Sequence, residues 1–128
     1  MPGQIGWIDL TSPDATALRD FYQRVVGWTA APVDMQGYQD FCMHPPGEEQ
    51  PVAGICHARG GNAGIPPVWL IYLTVENLEE SLKHCQELGG EVLRAATPAG
   101  PNGRFGIIRD PAGAVCALYE TVAAPDAA

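Results

Sequence analysis

Apolar and polar positions alternate in two rhythms along the chain, and the second half repeats the order of the first. After an apolar run at Trp7–Leu10, the residues Leu18, Phe21, Tyr22 and Val25 recur at i, i+3, i+4 and i+7, the spacing of one helical face. The start signals agree: Ser12 is a good N-cap, Pro13 suits the first helical position, and Asp14 favours the positive end of the helix dipole. Gly27 can adopt the left-handed conformation that ends such a helix. A second helix follows from Leu78, Leu82 and Cys85, with Asn77 and Glu80 forming a capping box and Gly89-Gly90 closing it. His84 falls beside that stripe next to Lys83, where a solvated surface histidine is expected.

Between and after the helices the pattern is that of strands, at 28–33, 36–43 and 52–58, then at 91–97, 103–109 and 114–120. Pro- and Gly-rich stretches at 44–50, 60–67 and 97–103 mark the loops, and the last two have the make-up of mobile lids. Asp110-Pro111-Ala112-Gly113 reads as a tight turn between the last two strands. Laid over each other, WIDLTSPDATALRDFYQRVVGW and LIYLTVENLEESLKHCQELGGE place Trp7 on Leu70, Asp9 on Tyr72, Thr11 on Thr74 and Gly27 on Gly90. The expectation is an α+β fold in one domain, 1–128, made of two βαβββ modules at about 4–60 and 66–121. In it, two curled, mostly antiparallel sheets form a cup with the helices outside.

Composition narrows the function. The 128 residues are enough for one domain with its own core, and the 46% apolar content is that of a globular protein. A net charge of −8 with no Lys/Arg run argues against nucleic acid and anionic membranes as partners. No apolar stretch approaches a membrane span, and MPGQIGW lacks the parts of a signal peptide, so a cytoplasmic location is expected. Cys42, Cys56, Cys85 and Cys116 show no paired spacing with one another or with histidines. Free, buried thiols are expected rather than a zinc site or a disulfide framework.

The paired βαβββ pattern, SPDATALRDFYQRVVGW after the first strand, VENLEESLKHCQELGGEV after the fifth, and GRFGIIRDPAGAVCALYE near the end resemble the vicinal oxygen chelate superfamily. That group includes glyoxalase I, bleomycin-resistance proteins, fosfomycin-resistance enzymes and extradiol dioxygenases. The resemblance spans about Gln4 to Glu120 and is strongest toward the subgroup of the glyoxalase-like mycobacterial antigen. It implies a homodimer. Metal-dependent members hold a divalent ion with His and Glu from the first and last strands of each module. Carried over, those positions fall on Trp7, Leu70 and Ala117, and on the stretch Gly54-Ile55-Cys56-His57. Trp, Leu and Ala cannot bind such a cation, so neither the family metal nor any other cofactor is expected.

If the ligand-equivalent positions face inward, strand alternation makes Trp7, Asp9 and Thr11 line the cup. Leu70, Tyr72 and Thr74 line it in the second module, and Val115, Ala117 and Tyr119 in the last strand. An apolar and aromatic lining with few polar groups is the make-up of a small-molecule pocket. Asp9 is the sharpest clue, because a carboxylate amid Trp7, Ile8 and Leu10 needs a donor, a cationic ligand or a proton. The alternative for it is a structural acid bonded to Tyr72 or to backbone amides. His57 is either a general base or an edge-strand histidine beside Arg59. His44 reads as a loop residue, Arg104 as a group within reach of an anionic ligand, and Arg109 as a turn-stabilising charge. Trp69, out of phase with the lining, is expected at a subunit interface.

Three functions compete. The first is a metal-free protein that binds a small aromatic or amphipathic molecule. The second is a cofactorless isomerase or lyase, with Asp9 as acid/base and His57 or Tyr72 assisting. The third is a metal-dependent lyase or dioxygenase whose ligands have moved to Asp9 and His57.

Overall fold

The structure, a computed structural model, describes residues 2–121. Its elements are β1 (Ile5–Ser12), α1 (Ala15–Val25), β2 (Thr29–Asp34), β3 (Gln39–His44) and β4 (Ala53–His57). A single 3-10 turn at Gly60–Asn62 follows, and then β5 (Trp69–Thr74), α2 (Leu78–Glu87), β6 (Glu91–Pro98), β7 (Gly103–Arg109) and β8 (Val115–Thr121). The order βαβββ therefore occurs twice. Residues 7–69 form one compact unit, and residues 2–6 with 70–121 form the other.

The expected pair of curled sheets around a cup is not what forms. The strands pair in one open order, β2-β3-β4-β1-β5-β8-β7-β6, with β2 and β6 as free ends. Each end carries a feature that discourages further pairing. Pro32 lacks an amide donor in β2, and β6 shifts register between Val92 and Arg94 and again between Arg94 and Thr97. Hairpins account for the antiparallel pairs β2–β3, β3–β4, β6–β7 and β7–β8. Parallel pairing joins β1 to β4 and β5 to β8, each across a module that includes a helix.

In the unit of residues 7–69, α1 packs on one face of the sheet. Ala15, Phe41, Met43 and Ile55 are buried there, with Leu18, Tyr22, Trp28, Ala30 and Trp69 packed around them. Trp69 donates its indole N–H to the Tyr22 hydroxyl at 3.1 Å and stacks edge-on against Tyr22 and Trp28. The buried stripe of α1 is narrower than its periodicity implies, since Phe21 and Val25 remain 53% and 64% exposed. The helix also starts later than expected, at Ala15, and Ser12 caps nothing within it. The Ser12 hydroxyl instead accepts the Asp14 amide at 3.2 Å, because Ser12 still belongs to β1.

In the other unit, α2 covers Leu118 with Leu78 and Leu82, and Leu73, Val75, Val92, Ala96 and Ile108 complete the cluster. Each buried leucine there contributes about 2 kcal/mol of transfer free energy. Asn77 accepts the Glu80 amide at 3.1 Å, the N-terminal half of the expected capping box. A second cap was not legible locally: Glu120 on β8 accepts the Leu78 amide at 2.7 Å. The β7–β8 turn forms as expected, with Asp110 accepting amides from Ala112 and Ala114 at 2.8 and 3.0 Å and Gly113 at φ +94.

Candidate functional site

The site is built on the face of the β1–β4–β3 ladder opposite α1. Parallel pairing sets Asp9 beside Gly54 and Thr11 beside Cys56, while antiparallel pairing sets Cys42 on the other side of Gly54. Leu10, Phe41, Met43 and Ile55 point toward the helix. By alternation, Trp7, Asp9, Thr11, Cys42 and Cys56 then share the opposite face. Gly54 makes this arrangement possible. A Cβ there would run into the Asp9 carboxyl and would lie 3.4 Å from the Trp7 indole nitrogen. Only a residue without a side chain leaves room for both groups at that point of the ladder.

Trp7 donates its indole N–H to Asp9 Oδ1 at 2.5 Å, two residues apart on one strand face. Asp9 thus finds a donor on its own strand, in the Trp7 indole. Burial raises the Asp9 carboxyl from 3.8 to about 6, the Trp7 hydrogen bond acts against this, and the like charge of Asp40 adds to it. The result is a carboxyl that exchanges its proton close to neutral pH.

Asp40 is the residue the sequence reading missed. It is buried to 6% exposure at the start of β3. It accepts the His57 backbone amide at 2.8 Å, and the His57 ring Nδ1 lies 3.4 Å from the same oxygen. A signal was available, since a carboxylate next to Phe41, Cys42 and Met43 raises the question that singled out Asp9. His57, half-buried, thus has the carboxylate partner that could not be identified from sequence. Its ring sits against Tyr38 and Phe41, and Arg59 stacks on Tyr38 at 4.2 Å.

The thiols nearby are not activated. Burial pushes the Cys56 thiol far up, and the charges of Asp9 and Asp40 and a hydrogen bond to Asp40 push it further. Cys42 is raised by burial and then by Asp9. A thiol held in its protonated form is neither nucleophile nor metal ligand. All four cysteines are free and of intermediate exposure, so they are less buried than expected.

The other candidates lie in the second unit. Tyr72 pairs with Ala117 and Thr74 with Tyr119 on β5 and β8, and Leu70 and Ala117 are buried. Tyr72 approaches Phe105 at 6.1 Å between ring centres. The Tyr119 ring occupies the space a side chain at Gly103 would take. Val115 and Tyr119 are half-buried. Arg104 does not await an anion: it pairs with Glu120 at 3.0 Å and with Glu79 at 3.5 Å. Arg109 bridges strands to Glu91 at 2.7 Å rather than bracing the turn. His44, read as a loop residue, is instead the last residue of β3, where its ring contacts the Glu48 carbonyl at 3.2 Å, and His84 is exposed on α2.

The positions to which the resemblance carries the family's metal ligands do not fit a cation. Trp7, Leu70 and Ala117 offer no donor, which leaves at most Cys56 or His57 of the carried-over stretch. Among the described residues, no three His, Cys, Asp or Glu side chains are grouped so as to hold a metal ion. Among the described residues, Asp9 and His57 do not form a group of three such donors.

A family model described as the Glyoxalase/Bleomycin resistance protein/Dioxygenase superfamily matches residues 4–118. The chain belongs to this superfamily. It is 31% identical to the anthracycline biosynthesis protein DnrV of Streptomyces peucetius, over 92% of this chain and 47% of that protein. It is 28% identical to the "Putative glyoxylase CFP32" of Mycobacterium tuberculosis, over 92% of this chain and 46% of that one. The chain thus spans about half the length of these relatives. A solved structure of Streptomyces coelicolor methylmalonyl-CoA epimerase shares the fold, with a TM-score of 0.55 and 16% identity over 96% of this chain and 100% of that chain.

Proposed function

We propose that the unit of residues 7–69 carries a metal-independent proton-transfer site, with Asp9 as general acid/base acting on a small aromatic or amphipathic molecule. One observation carries the reading. The half-buried Asp9 carboxyl is held by an indole N–H, with a proton affinity near neutrality, where general acid/base catalysis is most effective. Trp7 and Thr11, on the same face, would orient the substrate. His57 assists only through Asp40, to which it is bound. The name of DnrV, an anthracycline biosynthesis protein, supports an aromatic substrate, and the reaction class is isomerisation or elimination begun by removal of a proton from carbon.

The test is hydrogen–deuterium exchange at the acidic carbon of enolisable aromatic ketones, followed by NMR in D2O, with protein treated with a chelator. Exchange catalysed by the chelated protein, rising as pH passes through about 6 and reduced roughly 100-fold or more in Asp9→Asn, is the expected result. Catalysis that survives in Asp9→Asn, or that the chelator abolishes, would overturn the reading. Saturable binding of the same ketones without exchange favours the simpler alternative of a ligand-holding protein.

A further inference from the structure

We propose that Asp40 is the positioning residue of this site: locked at the start of β3, it presents a second carboxylate to the sheet face that bears Asp9 and so helps that residue keep its proton. The inference rests on the proposed role of Asp9. The register supplies the geometry. Phe41 pairs with Ile55, so Asp40 lies opposite Cys56, and Cys56 pairs on its other side with Thr11, two residues beyond Asp9. Alternation puts Asp40 on the side of the sheet away from Phe41 and Met43, together with Cys42, Cys56 and Asp9. Two carboxylates therefore share one face of the ladder with β4 between them.

Asp40 is held in several ways. The His57 amide binds it at 2.8 Å, the His57 ring nitrogen stands at 3.4 Å, and the Cys56 thiol hydrogen-bonds to it. The groups of β3 and β4 that bear on Asp9's charge are Asp40 itself and the Cys42 and Cys56 thiols, and on β1 the Trp7 indole. Asp40 is the charged member of that set. The same carboxylate also forms an ion pair with the His57 ring when that ring is protonated, at 3.4 Å. The charge at position 40 thus has His57 as its own partner and, across β4, a like-charged neighbour in Asp9 whose proton it helps to keep.

Carbon-13 labelling of aspartate in the full chain tests this, reading the Asp9 carboxyl against pH and assigning it with Asp9→Asn. Asp40→Asn keeps the shape and the acceptor for His57 but removes the charge. Asp40→Glu keeps the charge but changes the shape. The expected result is an Asp9 midpoint lowered by about half a pH unit in Asp40→Asn, roughly a threefold weaker hold on the proton, and little changed in Asp40→Glu. A structural clamp gives the reverse: Asp9 unmoved in Asp40→Asn and disturbed in Asp40→Glu, which overturns the proposal. If Asp40→Asn does not fold, Asp40→Glu decides alone, an unmoved midpoint supporting the charge and a lowered one refuting it. A wild-type midpoint at the ordinary aspartate value sinks the reading of Asp9 itself. A raised wild-type midpoint that ignores Asp40→Asn sinks only the role of Asp40.

Discussion

Asp9→Asn separates the charge of the buried carboxyl from its shape. The amide oxygen can still accept the Trp7 indole N–H, and the residue still fits over Gly54, so the main change is loss of ionisation. The rise from 3.8 to about 6 corresponds to about 3 kcal/mol of differential free energy between the protonated and ionised forms. In this window the folded chain binds the proton more tightly than the unfolded chain. The Asp9 contribution to stability is therefore greatest below about pH 4, falls as pH rises to about 6, and levels off above. The variant lacks this dependence. It is expected to match the wild type or fall slightly below it at pH 4, and to exceed it by up to about 3 kcal/mol at pH 8. Urea denaturation followed by the fluorescence of Trp7, Trp28 and Trp69 at several pH values measures both curves. A difference between the two proteins that stays constant from pH 4 to pH 8 refutes the reasoning, since Asp9 would then titrate alike in the folded and unfolded chains.

Other perturbations probe neighbouring parts of the argument. Gly54→Ala places a methyl group against the Asp9 carboxyl, and should destabilise the fold by about 1–3 kcal/mol and return the Asp9 midpoint toward ordinary values, both readable in one labelled sample. Glu120→Ala removes an acceptor for the first amide of α2 and a partner of Arg104, and should cost roughly 1 kcal/mol in chemical denaturation. Because the Leu78 amide and then Arg104 lower the Glu120 pKa, that loss should be full at neutral pH and fade as acid protonates the carboxylate. Thiol-labelling reagents at pH 7 should react with Cys56 at least tenfold more slowly than with a free cysteine; rapid labelling of the native protein would contradict the protonated, half-buried thiol.

Much of the fold was legible because it depends on local rules. The strand ranges, the two helices, the βαβββ repeat and the Asp110–Gly113 turn follow from periodicity and turn chemistry, which act over a few residues. Phe21 and Val25 show where local rules stop, since period alone cannot say how wide a stripe the sheet will cover. Arg104 shows the same limit for charge: its partners, Glu79 and Glu120, lie on different elements. The candidate site was half legible. Asp9 stood out as a carboxylate in an apolar strand, but its donor, two positions away, was not chosen from the sequence.

The amino-acid sequence by itself determined the superfamily, the doubled module and the loss of metal donors at Trp7, Leu70 and Ala117, because each depends on residue identity at a fixed interval. The tertiary structure decided what those residues meet. Strand pairing joined all eight strands in one open order where two curled sheets were expected, since pairing partners are chosen by contacts distant in the chain. The same pairing set Gly54 beside Asp9 and brought Asp40 to His57, seventeen positions away. An ordinary aspartate became a carboxyl that titrates near neutrality because burial and a like charge, neither a local property of the chain, act on it together.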